Sequence, residues 1–265
     1  MFLNMIIKHN HYHKKGNTMF GQLKASLGIG AAKVDTVLDS MSYTQGDILN
    51  GIVHIQGGDV DQQVDAINLK LCTEVKVEGE EGTSYQNFTL GTLQAVQPFT
   101  IHAGENKQVP FQFKLDPETP ITSLNTVNNQ CHVWLETSLD IDFAIDPKDR
   151  DFFEIKPLPV VANLISAIEN SGFTMVKADV EKGYLNGGNF SSKSGCYQEI
   201  EFRNNGMINK KEIELSFILD MNTVHCLAEV DRSLSFRGDQ YISFSLNRNA
   251  SDSEILSAVN QVLSV

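Results

Sequence analysis

The sequence predicts a mainly β protein that contains two consecutive β-sandwich domains. Short amphipathic helices are expected at the N-terminus, after the interdomain linker and at the C-terminus. Residues 32–71 alternate apolar and polar side chains with a period close to two, as half-buried strands do. Turn signals separate further runs of the same kind. Near the middle of the chain, Pro157 and Pro159 interrupt the strands and indicate a stiff connector.

The first predicted element is a short helix before the first strand. Phe20, Leu23 and Leu27 recur at helical spacing, and the apolar stripe stops at Gly28 and Gly30. This stripe should pack on protein, either on the second domain or on a second copy of the chain in a homodimer. A membrane-surface role is the alternative, but the helix carries too few cations to favour it.

Strands follow this helix as far as the connector. A first strand is predicted around Val34, Thr36 and Leu38, and residues 43–47 form a turn before the second strand. The later strands of this half are predicted at 64–77, 85–96, 109–115 and 131–144. Their spacing fits a β-sandwich.

The second half opens with a helix and returns to strands. The apolar face of that helix comprises Val160, Val161, Leu164, Ile165 and Ile168, and Gly172 lies at the position of a C-terminal cap. Ser251 or Asp252 can cap a final helix near the C-terminus. The strands between the two helices are predicted at 173–180, 198–202, 212–219, 224–230 and 240–246.

These elements divide the chain into three parts. Residues 1–18 are a disordered extension, since their apolar run is too short for a secretion signal. The N-terminal sandwich then covers residues 19–156. The C-terminal sandwich, with its flanking helices, covers residues 157–265.

Composition excludes several classes of function. The formal charge of −12 opposes binding to nucleic acid, and the sequence has no basic cluster that would offset it. No apolar run approaches the roughly 20 residues that span a bilayer, so no integral membrane segment is expected. The four scattered cysteines indicate reduced thiols in a cytosol rather than a disulfide scaffold.

The motifs that could bind a cofactor or a metal are incomplete. Gly28 and Gly30 precede a strand, whereas a dinucleotide loop follows one. The histidines at 9, 11 and 13 lack a fourth ligand. The acidic run from Asp140 to Asp151 lacks the glycine and the final glutamate of a calcium loop. We therefore expect no metal, no cofactor and, without a local catalytic signature, no enzyme. A triad assembled from distant residues stays open.

Three blocks of sequence resemble a known family. The first runs as GIGAAKVDT from Gly28 and ends as IQGG at Gly58. The second is VWLETSLDI from Val133, followed by AIDPKDRD from Ala144. The third pairs QEIEF from Gln198 with AEVDR from Ala228. In this combination the chain resembles the bacterial sporulation-control protein M family from Met19 onward. Met19 is therefore an alternative start of the protein.

The resemblance implies an arrestin-like fold, a cytoplasmic location and a role in regulation. Arrestin-like proteins hold their two sandwiches together partly through charged residues near the hinge. The resemblance therefore points to an interdomain polar network here, in which Arg150 is the central cation. Its candidate members are Lys33, Asp146, Asp149, Arg150, Asp231 and Arg232.

The expected function is that of a non-enzymatic adaptor. It would bind other proteins through sheet edges, loops or the interdomain groove. A small-molecule or carbohydrate-binding sandwich is the first alternative, although a single tryptophan, Trp134, within a strand does not favour sugar stacking. An unrecognised hydrolase is the second alternative.

Overall fold

Strands dominate the structure, which is a computed structural model. It describes residues 28, 30–79, 82–95, 97–142, 145–204, 206, 210–232 and 239–265. The described residues form fifteen strands and two helices, so the mainly β prediction is confirmed. The N-terminal extension and the helix predicted from Phe20, Leu23 and Leu27 lie outside the described residues.

The first ten strands precede both helices. They are β1 Lys33–Leu38, β2 Ser42–Thr44, β3 Ile48–Gln56, β4 Gln62–Gly79, β5 Gly82–Ala95, β6 Phe99–Ile101, β7 Asn106–Lys114, β8 Val133–Ile141, β9 Lys148–Phe152 and β10 Glu154–Lys156. The remaining elements are α1 Pro159–Asn170, β11 Phe173–Lys182, β12 Cys196–Asn204, β13 Lys211–Asp220, β14 Thr223–Arg232, β15 Gln240–Asn247 and α2 Asp252–Leu263.

Two layers of strands enclose the core of the first half. The order β1-β3-β7 forms a three-stranded antiparallel sheet, and the other layer contains β4 and β8. Side chains on the inner faces alternate with exposed ones, as in β7, where Phe111 and Phe113 are buried and Gln112 is exposed. The buried apolar residues of both layers form one continuous cluster that includes Leu49, Leu69 and Leu135.

The long strand β4 connects the two halves of the molecule. It pairs with β8 over much of its length and with β5 and β6 at its other edge. Close to its end it reaches β11, where Lys76 pairs in parallel with Glu181. One ten-stranded sheet consequently runs through both halves, from β9 at one edge to β15 at the other.

Helices cover one face of the sheet in the second half. Strands β11 to β15 are successive antiparallel neighbours, and the apolar faces of α1 and α2 pack on them. In this half, the buried layer opposite the strands is therefore helical, whereas the predicted C-terminal sandwich would place a second sheet there. A second hydrophobic cluster, separate from that of the first half, fills this space and includes Leu164, Phe202 and Val259.

Local sequence determines where both helices begin and where α1 ends. Pro159 lies in the first turn of α1, where its missing N–H is not required, and Gly172 follows the end of the helix with a φ of 92°. Ser251 caps α2 through a capping box with Glu254, whose carboxylate accepts from the Ser251 backbone N–H at 2.8 Å. None of the described helices has the length and apolar character that a membrane crossing requires.

The segment between β7 and β8 ties the two halves together. The buried amide of Gln198, on β12, donates to the carbonyl of Ile121 at 2.6 Å and accepts from its N–H at 2.9 Å. Farther along, the N–H of Gln130 donates to the carbonyl of Ala178 at 2.8 Å. The hydroxyl of Thr122 accepts from the N–H of Ile155, beside the connector. A first-half segment is thereby fixed on the second-half sheet.

We expect Gln198→Ala to lower the free energy of unfolding by about 1–3 kcal/mol for each backbone group of Ile121 that loses its partner. Urea denaturation measures the change. Gln112→Ala, on an exposed site of β7, is the matched control and should stay within about 0.5 kcal/mol of wild type. Equal effects of the two substitutions would contradict the clamping role of Gln198.

Candidate functional site

A groove lies at the junction of the two halves. Its volume is about 670 Å³. The first half contributes the β2–β3 turn and the loop that follows β7, and the second half contributes the loop after β11 and the β13–β14 hairpin. Residues from both sides of the junction therefore line one open depression.

Hydrogen bonds across the junction hold the groove walls in place. The carboxylate of Glu118 accepts from the backbone N–H groups of Lys193 and Ser194, with the shortest contact at 2.8 Å. Within the first half, the buried side chain of Gln45 donates to the carbonyl of Thr119 at 2.8 Å and joins the β2–β3 turn to the loop after β7. The loops from the two halves thus form a single framework.

The groove lining mixes charges of both signs. Lys114, Lys193 and Arg248 supply cations. Asp47, Asp116, Glu118 and Asp220 supply acids. Burial, together with the nearby charge of Glu118, raises the pKa of Asp116, whereas its bond from the Glu118 N–H acts in the opposite direction. This mixture suits a polar peptide segment better than a strongly charged ligand.

A serine–histidine pair beside the groove bears on the hydrolase alternative. His225 lines the groove, stacks on Phe190 with ring centroids 4.9 Å apart and contacts Ser245 Oγ through Nδ1 at 2.8 Å. These residues face each other on β14 and β15, so the strand register accounts for the contact. Within the described part of the chain, no carboxylate is bonded to His225 to orient it as a triad requires.

An acidic surface covers the face of β11–β15 that the helices leave open. The register places Glu201 opposite Glu214, and Glu214 opposite Glu229. Cations neutralise its margins, where Lys76 pairs with Glu181 and Lys177 pairs with Asp179. Arg203 pairs with Glu201 and Glu212 at another margin.

The centre of this surface holds carboxyl groups with strongly raised pKa values. Burial, with the charges of Glu214 and Glu181, raises the pKa of Glu199 to about 8. Burial, with the charge of Glu229, raises the pKa of Glu214 to about 7. Like charges at neighbouring cross-strand positions repel, so the folded chain retains protons that an extended chain would release.

Two carboxylate sets on the acidic surface are close enough to hold a metal ion. They comprise Asp179, Glu181 and Glu199, and Glu201, Glu212 and Glu214. Lys76, Lys177 and Arg203 already contact members of these sets. Lysine and arginine therefore supply positive charge where an ion would otherwise bind.

Sequence reasoning did not identify the acidic surface as a site. Its signal is present as acids two residues apart on three successive strands: Glu199 and Glu201, Glu212 and Glu214, Glu229 and Asp231. With a period of two, each pair lies on one sheet face. The missing information was the register that places the three pairs beside one another.

The residues predicted to form an interdomain polar network lie in several places. Lys33 is exposed at the start of β1, and Asp146 accepts from the N–H of Ile141 in the β8–β9 connection. Asp231 is exposed near the end of β14, and the side chain of Arg232 lies outside the described residues. In the described ranges, no salt bridge joins Lys33 or Asp231 to Arg150.

Arg150 contacts residues of its own half. On β9, its guanidinium lies 3.5 Å from a Glu136 oxygen and 4.7 Å from the ring of Trp134, both on β8.

The two acids that flank Arg150, Asp149 and Asp151, point to β1 instead. Asp149 accepts from the Thr36 N–H at 2.7 Å, and burial, together with the charge of Asp149, raises the pKa of Asp151 to about 7. These acids lie at the edge where β9 meets β1.

Comparison with known proteins identifies relatives of this chain. A family model described as "SpoOM protein" matches residues 20–234. The chain is 35% identical over 218 residues to the sporulation-control protein Spo0M of Bacillus subtilis (strain 168), covering 81% of each chain.

A solved structure gives the same result. The crystal structure of Spo0M from Bacillus subtilis matches this chain with a TM-score of 0.75 and 29% sequence identity. The match covers 89% of this chain and 98% of the other. The relatedness inferred from three sequence blocks therefore extends to the course of the backbone.

The acidic surface should make stability fall as pH rises. Glu199 is protonated below about 8 in the folded chain but titrates near 4.5 when unfolded, so the folded state binds the extra proton between these values. We expect Glu199→Gln and Glu214→Gln to flatten the decrease in urea midpoint between about pH 5 and pH 8. Glu169→Gln, on the exposed face of α1, should leave the slope unchanged, and an unchanged slope in all three variants would contradict the assignment.

Arg150→Ala should destabilise the chain only slightly. The guanidinium is substantially exposed, and an exposed ion pair or cation–π contact contributes about 1 kcal/mol or less. A buried interdomain pair would instead cost about 3–5 kcal/mol on losing one partner. Thermal melting distinguishes the two values, and small-angle scattering should show an unchanged arrangement of the halves.

Proposed function

Because this chain belongs to the SpoOM protein family, we propose that it is a non-enzymatic regulatory protein that acts by binding other proteins. The name of its Bacillus subtilis relative refers to the control of sporulation. For this chain, the role is that of an adaptor in the cytoplasm. The groove between the halves is the main partner site, and its geometry is the observation that carries the proposal.

Three properties of the groove support protein binding. Its walls come from loops, which present exposed backbone groups to a partner segment. Its charges are mixed, which favours specific polar contacts over general attraction to one sign of charge. Its framework is held by hydrogen bonds within the first half and across the junction, so little ordering is required on binding.

Met221 marks the rim of this groove. Its side chain is 83% exposed at the tip of the β13–β14 hairpin, and its backbone has a φ of 44°. A left-handed conformation costs a residue with a side chain roughly 1–2 kcal/mol. An exposed apolar side chain held in that conformation is a suitable contact for a partner protein.

The proposal includes a division into two arrestin-like domains at residues 19–156 and 157–265. The two hydrophobic clusters support this division, and Val75, Ile121 and Cys131 of the first half complete the cluster of the second. The proposed boundary lies beside the connector, before α1. A homodimer formed through Phe20, Leu23 and Leu27 also belongs to the proposal and concerns residues outside the described ranges.

Small-molecule binding is the second candidate function. The volume of the groove falls within the range of about 300–1,000 Å³ that is common for ligand pockets. Its lining carries seven charged side chains, whereas such pockets are mostly apolar with few polar groups. Carbohydrate binding is less suitable, because Trp134 is 2% exposed beneath Arg150 and offers no ring to a sugar.

Site-specific photocrosslinking tests the groove. A benzophenone side chain at position 221 should give a discrete crosslinked species in cytosol from the source organism, because that position faces the proposed partner. Position 127 is the matched control, since Val127 is a fully exposed apolar residue outside the groove lining. The same product from both positions, or none from either, would refute groove binding.

A further inference from the structure

The acidic surface contains a cavity that the proposed function does not use. It has a volume of about 220 Å³ and lies between the outer face of β12–β15 and the loop that follows β11. Because one water molecule takes up about 30 Å³ in the liquid, the cavity is large enough to hold several waters. Its position is separate from the groove, although the same loop borders both.

The loop over the cavity is held in place by its own hydrogen bonds. The Leu185 N–H donates to Ser192 Oγ at 2.8 Å, which closes the loop on itself. Ser243 Oγ, on β15, donates to the carbonyl of Gly187 at 2.7 Å and ties the loop to the sheet. The cavity is therefore a preformed feature.

Three half-buried carboxylates line this cavity: Glu199, Glu214 and Glu229. The neighbouring acids have cations, as in the pairs of Lys177 with Asp179 and Arg203 with Glu212. Within the described ranges, no lysine or arginine forms a salt bridge with the three cavity carboxylates. Ionised glutamates at adjacent cross-strand positions repel one another, and no cation in these salt bridges offsets that repulsion inside the cavity.

Three tyrosines complete the cavity. Tyr197 lies on β12, Tyr184 comes from the loop, and Tyr241 lies on the edge strand β15. The Tyr241 hydroxyl donates to a Glu229 oxygen at 2.8 Å. Aromatic rings attract cations through their faces, and this attraction grows as the cation loses water. The rings therefore favour the same kind of guest as the carboxylates.

We propose that this cavity receives a lysine or arginine side chain of a partner protein. The guest would replace the protons that Glu199 and Glu214 retain in the free protein, so that ionised carboxylates face its charge. The rings would contact its alkyl stem and cationic head. A metal ion fits less well, because the close carboxylate sets extend beyond the cavity to acids that lysine and arginine already contact. The inference concerns a second site and does not depend on the groove.

A labelled peptide tests the proposal directly. The probe is a fluorescein-labelled decapeptide with lysine at every third position, and its binding is measured by fluorescence polarisation. The salt concentration is about 0.15 M, at which electrostatic attraction is screened beyond about 8 Å. Wild type should bind it, and the same peptide with norleucine in place of lysine should not bind. The variant Glu199→Gln, Glu214→Gln, Glu229→Gln should bind at least tenfold more weakly.

A charge-matched control separates the cavity from general acidity. The variant Asp140→Asn, Glu154→Gln, Glu169→Gln removes three exposed acids outside the cavity and should bind within twofold of wild type. Equal weakening in both triple variants would show attraction to an acidic protein as a whole and overturn the proposal. Peptide binding that is unchanged in the cavity variant would overturn it as well.

Further measurements identify the guest and verify the fold. Tyr241→Leu should weaken peptide binding at least threefold while leaving the circular dichroism spectrum unchanged, which gives a test independent of the triple variant. If spermidine or Ca²⁺ saturates the cavity while the lysine peptide fails to bind, the guest is a free cation, and the proposal of a protein side chain is wrong. The cavity variant should melt at a higher temperature than wild type because its repulsion is gone, so weaker peptide binding cannot arise from unfolding.

Discussion

One buried side-chain amide determines how the two halves of this protein meet. Gln198 extends from a strand of the second half and satisfies both backbone groups of Ile121, which is fully buried. Without it, a backbone N–H and a carbonyl would lie in a hydrophobic cluster, where unpaired polar groups are costly. The segment between β7 and β8 must therefore lie against β12, and the groove walls follow from that placement.

The remaining links at the junction act together with this amide. Strand β4 carries one sheet across the boundary, but it meets β11 at a single residue pair, Lys76 with Glu181. The contact of Glu118 with the loop after β11 lies only a few residues before Ile121. The junction thus combines a narrow strand connection with a broad set of side-chain hydrogen bonds. Such an arrangement holds the two cores in register while leaving an open space between the loops.

Period-two alternation predicts the long strands but not the short strands β2, β6, β9 and β10, and β2 overlaps the turn predicted at residues 43–47. The prediction of a strand at 64–77 lies within β4, and the prediction at 212–219 lies within β13. The Gly57–Gly58 pair lies in the break between β3 and β4. The structure adds a steric reason, because a Cβ at either position would collide with a backbone carbonyl, that of His102 or Gly30. A glycine pair marks such a break in the sequence, but the carbonyls that exclude a side chain there come from distant residues.

Tertiary placement could not be predicted from the same patterns. The helical stripes of α1 and α2 indicated helices but not that both pack on the β11–β15 sheet. Arg150 was selected for its position near the connector, whereas its contacts depend on the β8–β9 register, which turns it towards Trp134. The acidic surface likewise arises from register. Its close-lying charges are tolerated because the opposite face of the same strands buries a large apolar cluster, which stabilises the fold. The acidic face can therefore retain charges for binding.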